Sequence, residues 1–313
     1  MIGDAFNAWL ATAGAVAGDF TGDRPDDPLQ ERDPEFIRAT LPAYSALTRA
    51  YFRPKVRGLE HIPAEGPVLL VGNHSGGSLI ADTFAFAYAF YEHFGADRLF
   101  HQLAHDMVFK IPGLAMLRRY GTVPANHENA QRALANGAAL LVYPGGDHES
   151  YRPTFAANEV DFGGRSGFVK TALDAGVPIV PVVAIGGQET ALFLTRGTGA
   201  AKALGLDRLF RLKVLPLQIA PPYGITLFDL PGRIPLPAQI TVQVLPPIDL
   251  RAEYGAEPDR DAVAEAIIAD MQRALDELAE ERDLPVVGSV TPRREDSPVA
   301  EALQRERRSG TPA

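Results

Sequence analysis

His74 is the side chain in this sequence best placed to do chemistry. It stands in the run Val71-Gly72-Asn73-His74-Ser75-Gly76-Gly77-Ser78-Leu79-Ile80-Ala81-Asp82. An ordinary imidazole titrates near pH 6.5 and so takes up a proton readily at neutral pH. Asp82, eight residues on, offers a carboxylate to orient and stabilise it, in the manner of a base and its orienting acid. Gly76 and Gly77 allow a ligand to approach the backbone closely. A second block, Tyr143-Pro144-Gly145-Gly146-Asp147-His148-Glu149-Ser150-Tyr151-Arg152, gathers carboxylates, an imidazole and a guanidinium around a tight turn. A third, Gly163-Gly164-Arg165-Ser166-Gly167-Phe168-Val169-Lys170, puts Arg165 and Lys170 about the start of a helix, where they hold a phosphate or stand as solvated surface charges.

Positioning these groups requires strands that end where the loops begin. Pro67 to Val71 is a short apolar run closed by glycine and reads as a buried strand, and Thr83 to Phe94 reads as a mostly buried helix. His74 therefore belongs to a strand-to-helix loop, where free backbone N–H groups favour developing negative charge. Ala138 to Tyr143, a helix over Ser166 to Ala175 and the run Ile179 to Ile185 continue the alternation. That pattern predicts an α/β fold with a mixed, largely parallel central sheet flanked by helices. A helix over Pro34 to Phe52 and an edge strand within Lys55 to Pro63 precede it. Asp261 to Leu284 is amphipathic, with Ala264, Ile267, Ile268, Met271, Leu275 and Leu278 on one face. Residues 192–248 are Pro-rich and apolar, which suits loops packed on the core or a role at a membrane surface or acyl tunnel.

Composition narrows the function classes. The chain has 313 residues, enough for a full core, and the sequence divides into an N-terminal helix and linker over 1–34, one main domain over 35–285 and a disordered tail over 286–313. A net charge of −9 argues against a nucleic-acid partner. The absence of cysteine excludes a disulfide scaffold, a thiolate zinc site and a cysteine nucleophile. His101 and His105 are spaced as a helical ligand pair, but no third ligand follows from spacing and no metal is expected. There is no G-x-S-x-G nucleophile elbow and no phosphate-binding glycine loop after a strand. With no basic leader and no long apolar window, the expectation is a cytoplasmic protein.

Taken in order, the blocks resemble the glycerolipid acyltransferase superfamily, which includes lysophosphatidic acid acyltransferases and a monoacylglycerol/diacylglycerol acyltransferase-like branch. The resemblance covers about residues 40–250. Its Asn-His motif is matched by Asn73-His74 with Asp82, and its G-x-[IV]-P-like turn by Gly121-Thr122-Val123-Pro124. The strand ending in P-G-G is matched by Pro144-Gly145-Gly146, and the V-P-[IV]-[VI]-P-V strand by Val177 to Val182. Two features depart from the pattern. The usual aspartate lies five residues after the histidine, a position held here by Leu79, and the P-G-G block lacks the arginine that the lysophosphatidic acid branch uses on phosphate. The second departure favours the monoacylglycerol/diacylglycerol-like branch and a neutral or differently charged acceptor.

The resemblance implies transfer of an acyl group from a thioester, acyl-CoA or acyl carrier protein, to a hydroxyl of a glycerolipid or lysophospholipid, with no bound cofactor. It implies His74 and Asp82 as catalytic residues. Asn73, Ser75, Gly76, Gly77, Gly121, Pro124, Pro144, Gly145, Gly146, Glu149, Arg152, Arg165 and Lys170 would then contact substrate. Amides near Gly76 or Gly145 would receive the oxyanion. The lipid acceptor would be met by peripheral contact, at the inner face of the cell membrane, through the region 215–240 or through Phe84, Phe86, Tyr88 and Phe90, for which core packing is the simpler reading. The sequence specifies no oligomeric state. A thioesterase and a non-catalytic lipid-binding protein are the alternatives.

Overall fold

A computed structural model describes residues 25, 27–78, 80–110, 114–154, 158–205, 214–229 and 233–282. The N-terminal helix expected before residue 25 and the tail expected from 286 lie outside the described residues. Ten strands fall into two sheets. The main sheet contains β1 (Lys55–Arg57), β2 (Val68–Gly72), β3 (Phe100–Ala104), β4 (Thr122–Pro124), β5 (Ala139–Val142), β6 (Ile179–Ile185) and β10 (Thr241–Val244). Its order is β1-β10-β6-β2-β5-β3-β4. β6, β2, β5, β3 and β4 run parallel, whereas β10 is antiparallel to β6 and pairs in parallel with β1 at the edge. The sheet is thus mixed and largely parallel.

Successive residues of β2 point to opposite faces, and both faces are covered. Val68 and Leu70 join a cluster with Phe36 and Ile37 of α1 (Pro34–Phe52) and Phe86 and Phe90 of α2 (Ala81–Phe94). Leu69 and Val71 join one with Ala133 of α3 (His127–Ala135), Val169 of α5 (Gly167–Ala175) and Ile267 and Met271 of α8 (Arg260–Glu280). Burial on both sides explains why these strands are unbroken apolar runs. The Asp259 side chain caps α8 by accepting from the Asp261 and Ala262 amides. Phe86 and Phe90 are core residues, with rings packed on Phe100. They supply no membrane-facing surface, in keeping with the core-packing reading of that helix.

Two regions differ from the sequence reading. Nothing in residues 99–135 carries the apolar run of a buried strand, yet β3, β4 and α3 form there, since β3 contains His101 and Gln102 and β4 is only three residues long. Within the Pro-rich stretch, β7 (Leu192–Thr195), β8 (Leu217–Ala220) and β9 (Gly224–Thr226) build a separate antiparallel sheet. Short helices α4 (Gly146–Ser150), α6 (Thr198–Ala203) and α7 (Leu250–Tyr254) and several 3-10 turns lie in the connections.

Candidate active site

β2, β5 and β6 are parallel neighbours, so the loops that follow them meet at one edge of the sheet, where open α/β sheets bind ligands. Each loop contains a glycine pair: Gly76-Gly77 after β2, Gly145-Gly146 after β5 and Gly186-Gly187 after β6. The pairs after β2 and β6 let those two loops pack backbone to backbone. A Cβ on Gly76 would lie 2.6 Å from the Gly187 carbonyl oxygen, and one on Gly187 would lie 2.8 Å from both the Ser75 carbonyl oxygen and an Asp82 carboxylate oxygen.

Asn73 extends β2 beyond its last backbone pairing. Its side-chain amide donates to the Ala184 carbonyl (2.9 Å) while its side-chain carbonyl accepts from the Ala184 N–H (2.8 Å). Both of its polar groups serve the fold. His74 follows, 8% exposed, with its ring set edge-on to Tyr143 at 4.3 Å between centroids. The Tyr143 hydroxyl accepts from Thr83 (2.7 Å), and Gly72 is glycine because a Cβ there would meet the Tyr143 ring at 2.6 Å. Burial drives the His74 pKa down to about 4, so the imidazole is neutral at physiological pH. Its Nδ1 is enclosed without a hydrogen-bond partner.

Asp82 does not reach that nitrogen by a hydrogen bond. Its two oxygens accept from the Ser75 N–H (3.0 Å) and the Thr83 N–H (2.8 Å). The carboxylate therefore folds the loop back onto the start of α2. Burial outweighs these amide bonds and pushes the Asp82 pKa up to about 7. Glu149 plays a similar part from α4: its oxygens accept from the His74 N–H (3.3 Å) and the Asp161 N–H (3.3 Å), and burial raises its pKa to about 8.

Several expected substrate contacts are framework instead. Glu149 and Arg152 are 0% and 3% exposed. The Arg152 guanidinium donates to the Glu159 carbonyl and to the Gln188 side chain. Arg165 grips the P-G-G turn, donating to the Pro144 (2.8 Å) and Gly145 (2.6 Å) carbonyls. Lys170 pairs with Asp174 one turn along α5, not with that turn. Gly121 precedes β4 beside Phe100, at the opposite end of the parallel strands from His74, and its carbonyl accepts from His101 Nδ1 (3.0 Å). Pro124 closes β4, at the same edge as the site. Among the described residues no three His, Asp or Glu side chains are grouped to hold a metal.

The loop amides are largely spoken for. His74, Ser75 and Ser78 donate to Glu149, Asp82 and Asp229, and Gly77 donates to the Ser150 carbonyl. Ser75 is buried and Gly146 begins α4. Gly187, Asp229 and Arg233 were not singled out from the sequence. The glycine pair after the Ile179–Ile185 strand was a signal for Gly187, whereas Asp229 and Arg233 have none; Tyr143 opens the P-G-G block, but its contact with His74 shows only in the fold.

The chain is similar to several known proteins. The family model described as Acyltransferase matches residues 53–185. An uncharacterized protein of Mycobacterium tuberculosis is 31% identical over 265 residues, covering 84% of this chain and 70% of that protein. A cattle (Bos taurus) protein named "DGAT1/2-independent enzyme synthesizing storage lipids" is 31% identical over 226 residues, covering 70% of this chain and 60% of its own length. Among solved structures, the 1-acyl-sn-glycerophosphate (LPA) acyltransferase PlsC from Thermotoga maritima superimposes with a TM-score of 0.51 at 16% identity, over 90% of this chain and 97% of that one.

Proposed function

The chain belongs to the glycerolipid acyltransferase superfamily, and from that premise we propose that it moves a fatty acyl group from a thioester donor to a lipid hydroxyl with His74 as general base. The observation that carries the assignment is the buried, neutral His74 imidazole where the β2, β5 and β6 loops converge. With Nδ1 enclosed, a reactant meets the ring at Nε2. That nitrogen removes the hydroxyl proton as the oxygen attacks the thioester carbonyl, and collapse of the tetrahedral adduct expels the thiolate, which regains the proton. Asp82 acts on this step by setting the loop through the Ser75 N–H. The Gly76 N–H, to which no acceptor is assigned among the described residues, is the loop donor left for the oxyanion. One such donor is typically worth roughly 3 kcal/mol of transition-state stabilisation.

No helix among the described residues is long and apolar enough to cross a membrane. We place the meeting with the lipid acceptor at a membrane surface, on the small sheet rather than on α2. Its hairpin and return loop expose Tyr223, Ile225, Leu227, Phe228 and Ile234, an apolar patch of the kind that marks a contact site.

The test is incubation with a long-chain acyl-CoA, or the acylated carrier protein, and a panel of lysophospholipids, monoacylglycerol and diacylglycerol. Free thiol and lipid product are read together, with His74→Ala alongside. Acylated lipid that disappears in the variant, with the melting transition retained, is the expected result. Thiol release without lipid product would identify a thioesterase, and full turnover by the variant would refute the role of His74.

A further inference from the structure

The loop carrying His74 holds two glycines in left-handed conformation, Gly76 at φ 100° and Gly77 at φ 70°, and so has little stiffness of its own. It is gripped from outside by residues about 150 positions later. The Asp229 carboxylate accepts from the Ser78 N–H (2.5 Å) through one oxygen, and from the Arg233 Nε (2.6 Å) and the Gln218 side-chain amide (3.2 Å) through the other. The Arg233 guanidinium in turn donates to the Gly76 carbonyl and to the Thr190 carbonyl (3.4 Å). The two side chains are 1% (Arg233) and 3% (Asp229) exposed.

We propose that the Asp229–Arg233 pair is a positioning device for acyl transfer, fixing the two glycine peptides and thereby the His74 ring and the Gly76 N–H. The inference rests on the proposed function. Its physical reason is polarity: the loop turns a buried carbonyl at Gly76 toward Arg233 and offers the Ser78 N–H to the buried Asp229 carboxylate. Polar groups withdrawn from water need partners of opposite kind. A donor and an acceptor locked to each other satisfy both, with charge-assisted bonds at fixed spacing. Burying an ion pair is weak support for stability in itself, so retaining one here points to geometry. Both residues lie beyond the segment 53–185 that matches the family model, on the return from the small sheet. They therefore join the apolar patch to the catalytic loop.

The experiment compares the full chain with Arg233→Lys and with the uncharged double variant Asp229→Asn/Arg233→Met. The double variant leaves no unpaired buried charge and so tests geometry without breaking an ion pair. For each, kcat and KM are measured with the thioester and the best acceptor, together with the melting transition and amide deuterium uptake of the peptide spanning 73–78. The expected result is a cooperative melt, faster uptake in that peptide, and kcat lowered at least about 10-fold with KM within about twofold, because reacting groups misplaced by a fraction of an ångström lose rate more than affinity. Unchanged kcat, unchanged uptake, or a loss of rate that only follows the loss of folded protein in both variants would overturn the role. A parent enzyme that transfers no acyl group would refute the proposed function itself, whereas an active parent with fully active variants refutes this inference alone.

Discussion

Gly187→Ala should damage catalysis through one added methyl group. Gly187 has no left-handed φ, so alanine brings no backbone strain there and the effect is one of space alone. The new Cβ would lie 2.8 Å from each of three atoms: Asp82 Oδ2, the Ser75 carbonyl oxygen and Ser75 Oγ. Ordinary contact begins at 3.4 Å, so the wall has to retreat by 0.6 Å. None of the three is the free end of a long side chain. The Asp82 oxygen is tied to the Ser75 N–H, and Ser75 is bonded directly to His74. Overpacking of this kind costs about 1–3 kcal/mol, or roughly 2–10 °C in Tm for a domain of this size. A misplacement of 1 Å costs about 100-fold in rate, so roughly half that should lower kcat about 10-fold. The assay is initial-rate acyl transfer beside a thermal melt, with Gly167→Ala as the control, since a Cβ there meets nothing within 4 Å. Activity within about twofold of the parent at unchanged Tm would refute the view that the β6 turn sets the position of the His74 loop.

Four further outcomes follow from burial and charge. Because burial holds His74 at about 4, the acid limb of kcat/KM should lie near that pH. A limb at pH 6.5 would mean a solvated imidazole. The same shift makes folding stability complete above pH 6.5 and progressively lost as pH falls from there toward 4, since the unfolded chain takes up the proton first. Glu149 has the opposite sign: its folded pKa of about 8 lies above the ordinary 4.5, so the stability it contributes is full below pH 4.5 and is lost as pH rises toward 8. Glu149→Gln, which mimics the protonated acid, should therefore flatten the dependence of Tm on pH between 5 and 8, and an unchanged slope would count against a neutral Glu149. Arg282 binds both oxygens of Glu189 (2.5 and 2.6 Å) with the pair 8% and 3% exposed, anchoring the turn after β6 to the end of α8. Arg282→Met should cost about 3–5 kcal/mol in denaturant unfolding, because it removes a two-pronged charged partner from a buried carboxylate. A loss below 1 kcal/mol would show that Glu189 is solvated or otherwise compensated.

Local information sufficed wherever a single segment carries its own reason. The apolar runs at 68–71, 138–143 and 179–185 are strands because residues buried on both faces of a sheet have no polar alternation to show. The spacing of Ala264, Ile267, Met271, Leu275 and Leu278 made the last helix legible, and the order of the motif blocks pointed to the family. Glycine pairs after strands marked where loops converge. The short strands β3 and β4 escaped notice, because pairing with neighbours rather than composition makes them strands.

The site itself was decided by tertiary structure. Asp82 is named by its place in the chain as the partner of His74, but only folding shows its oxygens committed to the Ser75 and Thr83 amides. Arg152 and Glu149 stand beside the P-G-G motif and enter as substrate contacts with the family resemblance, and packing buries both as framework. Asp229 and Arg233 sit in a Pro-rich stretch with no chemical motif, yet they hold Ser78 and Gly76. The physical reason is common to all of these. Residue type fixes which hydrogen bonds and charges a side chain is able to offer. Whether it spends them on substrate or on backbone depends on which groups folding withdraws from water, and that is set by contacts between segments far apart in the chain.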